Sequence, residues 1–238
     1  MNKQSNTYTI IYITALVAIV GAALAFTAMS LKSRQQDNAN ADKMRQILAS
    51  VHITPQNTDV TALYDKYITN SFIVNSDGKK VTGNAFDVDV ATQSKTAADK
   101  RLLPVYVCTT DNGDTKYIMP VYGAGLWGPI WGYIAVNADG RNIFGAYFAH
   151  QGETPGLGAE IEKPWFRKEF DGKTLWNGDD FCPVSVVKAG KIPPGQSDHC
   201  VDGVSGGTIT SKGVSSMLAD CLTPYNRFLR SLQNNDNK

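Results

Sequence analysis

The chain reads LPVYVCT at residues 103–109, KYIMPV at 116–121, WGYIAV at 131–136 and IFGAYFA at 143–149. Val, Ile, Tyr and Phe are abundant in these four segments, as they are in β-strands. Asn112-Gly113 separates the first pair of segments and Asp139-Gly140 separates the second pair, and both dipeptides favour tight hairpin turns. The pattern therefore predicts antiparallel hairpins in a central sheet.

Helical and strand patterns on either side of this sheet predict a mixed, α+β domain with flanking helices. Upstream, apolar residues at helical spacing predict an amphipathic helix near residues 42–51 and a short helix near 59–67. Two short strands then meet at the turn signal Ser76-Asp77-Gly78. Downstream, helical patterns return at residues 159–170 and at about 211–232.

The start of the chain carries an apolar run, IIYITALVAIVGAALAFTAMSL at residues 10–31, which contains no charged residue. A helix needs roughly 20 apolar residues to cross a bilayer. We therefore expect one N-terminal transmembrane helix. The alternative is a signal peptide that is cleaved near Ala23 or Ala25.

The expected organisation is a tail at residues 1–9, the transmembrane helix at 10–31, a polar tether at 32–41 and a folded domain at 42–238. The tether is rich in Gln and Asn. Positive charges flank both ends of the apolar run, so the charge bias predicts no orientation in the membrane.

Charge and cysteine spacing exclude two classes of function. The 23 Lys and Arg nearly balance the 22 Asp and Glu, whereas nucleic-acid binders carry a basic patch or stripe, so nucleic acid is not an expected partner. Cys108, Cys182, Cys200 and Cys221 form no CxxC pair, so no metal site built from this chain alone is expected. The cysteines are either buried free thiols or include a disulfide.

Residues 122–132, YGAGLWGPIWG, combine four glycines with two tryptophans between two predicted strands. Glycines let the backbone approach a ligand, and an indole beside backbone amides can form a wall for a flat heterocycle such as a flavin. The alternative is that Trp127 and Trp131 fill the core around a sharp turn.

Residues 150–158, HQGETPGLG, form a loop between a predicted strand and a predicted helix. Glu153 offers an acceptor and Thr154 a hydroxyl for the polar groups of a flavin or its ribityl chain. His150 suggests an acid–base or ligand role. The alternative is a loop histidine bonded to the backbone, because no second His or Cys lies nearby at metal-ligand spacing.

Residues 202–211, DGVSGGTITS, lead into the last predicted helix and indicate a phosphate site. The Thr208 hydroxyl follows two glycines and is therefore accessible to a modifying enzyme. The free N–H groups and the dipole of a helix that begins nearby would stabilise a phosphate there by roughly 0.3–1 kcal/mol. The alternative is a glycine-rich turn in which Thr210 or Ser211 caps the helix.

Three motifs in this order, after a single N-terminal span, resemble the FMN-binding C subunit of bacterial sodium-translocating NADH:quinone reductases. They are GLWGPIWGY at 125–133, GETPGLGAEI at 152–161 and DGVSGGTITSKGV at 202–214. The resemblance implies FMN attached through a phosphoester to the threonine of a D-G-x-S/T-G-A-T signature, which is Thr208 here. A separate flavin transferase makes this bond. Gly207 stands where the signature has alanine, a change that removes only a methyl group.

The same resemblance implies the other residues of the site and makes residues 42–238 an FMN-binding domain. The implied flavin contacts are Glu153, Thr154, Leu157, Gly158, Leu126 and Trp127. Ser205 and Gly207 belong to the attachment signature, and Asp202 is implied as a recognition element for the flavin transferase. No catalytic residue and no metal are implied, because the redox chemistry belongs to the cofactor.

The function implied by the resemblance is that of one component of a membrane NADH:quinone oxidoreductase that exports sodium. The covalent FMN would relay electrons towards quinone, next to the other membrane subunits of the complex. The soluble domain would lie on the outer, periplasmic face of the bacterial inner membrane. Two alternatives are the G subunit of the related Rnf ion-translocating complex, which has a similar anchor and signature, and a membrane-anchored interaction module without flavin.

Overall fold

The computed structural model of the protein describes residues 6–55 and 59–235. The chain divides into two compact units, one up to Lys43 and one from Met44 onward. Helix α1 spans Asn6–Ala49. Among the described residues it is the one helix that is long and apolar enough to cross a membrane. Residues 1–5 of the expected N-terminal tail lie outside the described part of the chain.

The structure differs from the sequence prediction at residues 32–41, which were expected to form a tether ahead of a separate helix. Helix α1 continues through them without a break. The segment contains neither Gly nor Pro, and Lys, Arg, Gln and Ala all favour helix. The side chain of Gln36 also donates to Asn40 Oδ1 at 3.0 Å, a contact between residues one helical turn apart.

The main sheet has six strands, all paired antiparallel, in the order β2-β1-β3-β4-β5-β6. The strands are β1 Ile68–Val74, β2 Lys80–Val81, β3 Leu103–Thr109, β4 Thr115–Ala124, β5 Pro129–Asn137 and β6 Ile143–His150. Strands β3 to β6 contain the four segments predicted to form hairpins, and each pairs with the next. The predicted α+β class with a mainly antiparallel sheet is confirmed.

Helices and short strands surround this sheet. The remaining α-helices are α2 Val60–Tyr67, α3 Val90–Ser94, α4 Pro164–Lys168, α5 Thr208–Leu222 and α6 Asn226–Asn235. Short 3-10 helices are Ala85–Asp87, Ala98–Lys100, Gly158–Glu162 and Thr223–Tyr225. Two small ladders complete the fold: antiparallel β7 Trp176–Asn177 with β8 Asp180–Phe181, and parallel β9 Ser185–Val187 with β10 Cys200–Asp202.

Two predicted helices are each divided in the structure. Residues 159–170 form a 3-10 turn followed by the five-residue α4, which begins at Pro164. Residues 211–232 belong to α5, a 3-10 turn containing Pro224, and α6. Proline has no N–H for the helix ladder and clashes with the preceding turn, so each division falls next to a proline.

Helix α5 packs against strand β4, and this contact places the helix relative to the β4–β5 hairpin. Val214, Met217 and Leu218 are buried in one core with side chains of the sheet, and burial of each such side chain contributes roughly 1.5–3 kcal/mol. A Cβ on Gly123 would lie 2.7 Å from Met217 Cβ, and a Cβ on Gly213 would overlap the carbonyl of Ala124. Glycine at both positions therefore allows the close approach that puts the start of α5 beside the β4–β5 loop.

Candidate functional site

Three loops meet at the amino terminus of α5. They are the β4–β5 loop at residues 125–128, the loop that follows β6 at 151–157, and the loop between β10 and α5 at 203–207. All three contribute residues to one cavity of about 240 Å³. The structure thus brings together the three glycine-rich motifs that are separated in the sequence.

Helix α5 begins without a side-chain cap. Its N-cap residue is Gly207, which has no side chain to accept a hydrogen bond. Among the described residues, the backbone N–H groups of Thr208, Ile209 and Thr210 have no hydrogen-bond acceptor. By contrast, Asp59 caps α2 and Asp89 caps α3. The start of α5 therefore presents free donors and the positive end of a helix dipole.

The first turn of α5 contains three hydroxyl groups, of which two have partners. The Thr210 hydroxyl donates to Glu153 Oε2, and Ser211 Oγ accepts from the Val204 N–H at 2.9 Å. The Thr208 side chain is exposed and its hydroxyl makes no hydrogen bond within the described residues. The helix starts at Thr208, three residues before the predicted start. The interpretation of Thr210 or Ser211 as the N-cap is therefore wrong.

The 240 Å³ cavity, here called the apolar cavity, is bordered by four large apolar side chains that remain exposed. Trp127 is 69% exposed, Ile209 57%, Leu126 47% and Leu157 43%. The remaining lining residues are Glu153, Thr154, Gly158 and residues 206–208 and 210. Contiguous exposed apolar side chains are unusual unless they contact a ligand or partner.

A second cavity, here called the lysine cavity, lies against the same threonine and has a volume of about 380 Å³. Thr208, Ser205 and Ser211 line it together with Lys188 and Lys212. No acidic residue lines it, and neither lysine has an ion pair within the described part of the chain. Thr208 therefore borders one apolar and one cationic cavity.

Glu153 and His150 are held by hydrogen bonds within the protein. Glu153 is 5% exposed, and its two carboxylate oxygens accept from the Trp127 N–H at 2.8 Å and from the Thr210 hydroxyl. The Glu153 N–H donates to His150 Nδ1 at 3.1 Å. His150 Nε2 lies 3.6 Å from Glu162. The interpretation of His150 as a histidine bonded to the backbone is confirmed, but the residue is the last of strand β6 and does not lie in the loop.

The two tryptophans of the first motif have different environments. Trp131 is partly buried, and its ring N–H donates to Gln46 Oε1 at 3.0 Å. Trp127 is largely exposed at the apolar cavity, so the interpretation of both tryptophans as core residues is wrong for Trp127.

Two signature residues lie at the lysine cavity: Ser205 lines it, and Asp202 precedes its lining residue Gly203. Asp202 Oδ1 accepts from the Gly190 N–H at 2.8 Å, which fixes the loop that carries Lys188. Ser205 is exposed and lines the cavity.

Sequence reasoning missed Ile209, Lys188 and Lys212. Ile209 and Lys212 would have been placed at the site if the helix start had been put at Thr208, because they follow it on the first turn. No signal in the sequence brings Lys188 to the site. It arrives there through the pairing of β9 with β10, two strands that residues 188–199 separate along the chain.

The four cysteines are free thiols, Cys182 being partly exposed and the other three buried. Burial raises the pKa of the Cys108 thiol to about 11, and it also raises the pKa of Cys200 and Cys221. Low thiolate content and burial are typical of structural rather than reactive cysteines.

This antiparallel domain presents an accessible hydroxyl and free helix donors where an apolar and a cationic cavity meet the same threonine. Such a site suits an amphipathic, anionic cofactor, and the class of protein is therefore one that holds a cofactor of this kind. The pattern of the FMN-binding domain family matches residues 125–223, which include all three loops. The chain is 34% identical to the Na(+)-translocating NADH-quinone reductase C subunit of Vibrio anguillarum, over 90% of this chain and 89% of that protein. The chain belongs to the family of Na(+)-translocating NADH-quinone reductase C subunits.

Other relatives and solved structures agree. The C subunit of Pseudomonas aeruginosa is 31% identical over 91% of each chain. The crystal structure of the C subunit from Parabacteroides distasonis is 48% identical, covers 84% of this chain and 96% of its own, and superimposes with a TM-score of 0.78. NqrC of Shewanella oneidensis is 25% identical, with coverage of 83% and 99% and a TM-score of 0.68.

The residues present fit FMN on two observations. FMN combines a flat, largely apolar ring system with a phosphate. Three free backbone N–H groups lie in the first turn of α5, and two unpaired lysines line a cavity that Thr208 also lines, which suits a phosphate. Leu126, Trp127, Leu157 and Ile209 supply apolar surface in the other cavity that Thr208 borders, which suits the ring.

Proposed function

We propose that this chain is the FMN-carrying C subunit of a Na(+)-translocating NADH-quinone reductase, with FMN bonded through its phosphate to Thr208. The observation that carries the proposal is the exposed, unbonded hydroxyl of Thr208 at the first position of an uncapped helix. Thr210 and Ser211, which offer the neighbouring hydroxyls, are buried and already bonded. Thr208 is thus the hydroxyl of this turn that a modifying enzyme can reach.

The chain contributes binding and orientation, while bound FMN supplies the electron-transfer chemistry. The free N–H groups at the start of α5, together with Lys188 and Lys212, would hold the phosphate. Leu126, Trp127 and Leu157 would contact the ring, and Thr154 and Gly158 would border it. Because the apolar side chains are exposed, the ring would stay close to the surface, where a redox partner can approach it.

We also propose where the chain lies in the membrane and which proteins are its partners. Residues 10–31 would span the inner membrane, and residues 42–238 would form the FMN-binding domain on the periplasmic face. The other subunits of the reductase would be the electron-transfer partners, and the electrons would pass towards quinone. A flavin transferase would attach the FMN, with Asp202 and Ser205 as part of the sequence that it recognises.

The test compares two substitutions of the attachment residue in protein that is coexpressed with a flavin transferase. We expect intact mass spectrometry of the unsubstituted protein to find a gain of one FMN less one water on the peptide that contains Thr208. Thr208→Ser should keep the gain because it keeps the hydroxyl, and Thr208→Val should abolish it without unfolding the domain. Covalent FMN on Thr208→Val would contradict the attachment site.

The two alternatives make different predictions. An interaction module without flavin would gain no mass even with an active transferase. The G subunit of the Rnf complex would also carry covalent flavin, but the Vibrio anguillarum and Pseudomonas aeruginosa relatives are C subunits that align with about nine-tenths of this chain. That similarity favours the Na(+)-translocating reductase.

A further inference from the structure

Glu153 occupies an unusual position for a charged residue. It is 5% exposed, and it connects three parts of the site. Its carboxylate accepts from the backbone of Trp127 in the β4–β5 loop and from the Thr210 hydroxyl in the first turn of α5. Its own N–H is bonded to His150 at the end of β6. Glu153 therefore joins two of the loops that surround the apolar cavity to the first turn of α5.

Two glycines make room for this carboxylate. A Cβ on Gly125 would lie 2.5 Å from Glu153 Oε1, and a Cβ on Gly158 would overlap Oε2. Neither glycine has a backbone conformation that requires glycine, since no positive φ occurs at either position. The absence of a side chain at both positions is therefore explained by the carboxylate between them.

The charge of Glu153 has no cationic partner within the described residues. Both oxygens act as acceptors, as the ionised form requires. Glu153 also lines the apolar cavity, so its field acts directly on whatever the cavity holds.

We propose that Glu153 is a positioning residue that joins its own loop to the β4–β5 loop and to the first turn of α5 around a flavin cavity, and that its fixed negative charge lowers the reduction potential of the flavin. The inference rests on the proposed function. Glu153 was expected from the sequence as a flavin contact, whereas its hydrogen bonds are made to the protein. A fixed negative charge beside the ring disfavours the added negative charge of a reduced flavin, because charges interact strongly where water is excluded.

The first measurement tests the charge. Glu153→Gln keeps the size of the side chain and both connections, since the amide can accept from Trp127 and donate to Thr210 Oγ1. In flavinylated full-length protein we expect this variant to raise the midpoint potential of the flavin. Glu160→Gln is the matched control. Glu160 lies in the same region of the chain and bonds the Trp165 ring N–H at 3.2 Å, but it does not line the cavity, so the potential should stay unchanged.

The second measurement tests the connections and is made on the protein without FMN. Glu153→Ala removes both hydrogen bonds, and we expect the backbone N–H of Trp127 to exchange with solvent at least about tenfold faster, because its opening free energy falls. Glu153→Gln should keep most of the protection. Thr210→Val removes the bond to Oε2 without changing the side-chain shape and holds the carboxylate less firmly. The Trp127 N–H should then exchange faster by a smaller factor, which provides the test if Glu153→Ala does not fold. Thr210→Ser keeps the hydroxyl and should behave like the unsubstituted protein.

Both results are needed to support the role of Glu153. An unchanged potential in Glu153→Gln, or unchanged exchange of the Trp127 N–H in both Glu153→Ala and Thr210→Val, would overturn it while leaving the attachment of FMN to Thr208 intact. If the unsubstituted protein gained no FMN, the proposed function would fail instead, and the exchange experiment would still test the connections.

Discussion

At the scale of single residues, the two glycines before Thr208 have different conformations. Gly206 has φ +77°, and a Cβ there would lie 2.7 Å from Leu157 Cδ2. Gly207 has φ −102°, which any residue can adopt, and a Cβ there would lie 3.1 Å from Val204. The alanine of the family signature therefore corresponds to the glycine whose backbone allows a side chain.

We expect the two alanine substitutions to differ. Gly206→Ala forces a left-handed conformation on alanine, which costs about 1–2 kcal/mol, and displaces Leu157 from the apolar cavity. Gly207→Ala should cost about 1 kcal/mol or less, because alanine is a poorer N-cap than glycine by roughly that amount and its backbone needs no left-handed conformation here, and it should leave flavin attachment intact. Urea unfolding of the protein without FMN measures both. Equal losses for the two variants would contradict this interpretation of the turn.

At the scale of secondary structure, the start of α5 should gain stability when FMN is attached. The free N–H groups of an uncapped helix gain an anionic partner, which stabilises it by roughly 0.3–1 kcal/mol. The unfolding free energy of the flavinylated protein should exceed that of the unmodified protein, and the difference should shrink at high salt because ions screen exposed charges. Equal stability of the two forms at low salt would argue against a phosphate at this terminus.

Lysine variants extend this prediction to the lysine cavity. In the double variant Lys188→Gln, Lys212→Gln, attachment of FMN should stabilise the protein less than it does in the unsubstituted chain, because both side chains line the cavity beside Thr208. Lys191→Gln is the control, since Lys191 is exposed in the same loop region but does not line the cavity. A full gain in the double variant would mean that the helix terminus acts alone.

Local sequence signals specify some of the secondary structure elements and not others. Strands β3 to β6 were predictable because residues that favour strands and local turn signals specify them. Pro224, which lies in the 3-10 turn between α5 and α6, is a local sequence signal for the division of this helix. The continuation of α1 through residues 32–41 was not predictable, because the polar composition of this segment suggested a tether although its residues also favour helix.

The candidate site was predictable only in part, for a physical reason. Thr208 and its signature are contiguous in the sequence, so a resemblance could identify them. The connection of Glu153 to Trp127 and Thr210 joins residues 26 and 57 positions apart, and such contacts depend on how the loops pack. The positions of Lys188 and Ile209 at the site depend in the same way on the register of β9 and on the first turn of α5.

At the scale of the whole molecule, the two units differ in where their apolar side chains lie. The apolar side chains of α1 between residues 10 and 31 are exposed, Phe26 and Met29 by more than three quarters, whereas the unit from Met44 onward buries its own hydrophobic core. Exposed apolar surface on an isolated helix is stable in lipid and not in water. This contrast supports a membrane position for the helix and, under the proposed function, a position outside the bilayer for the domain that would carry FMN.

The side of the membrane on which the FMN site lies follows from the proposal and can be tested directly. Positive residues flank both ends of residues 10–31, so charge bias alone gives no orientation. Alkaline phosphatase needs disulfides that form outside the cytoplasm, whereas green fluorescent protein fused to a chain exported through the general secretion pathway does not fluoresce. We expect a C-terminal phosphatase fusion to be active and the matched fluorescent fusion to be dark. The reverse result would put Thr208 in the cytoplasm, and attachment of FMN would then require a cytoplasmic transferase even if the attachment site itself were right.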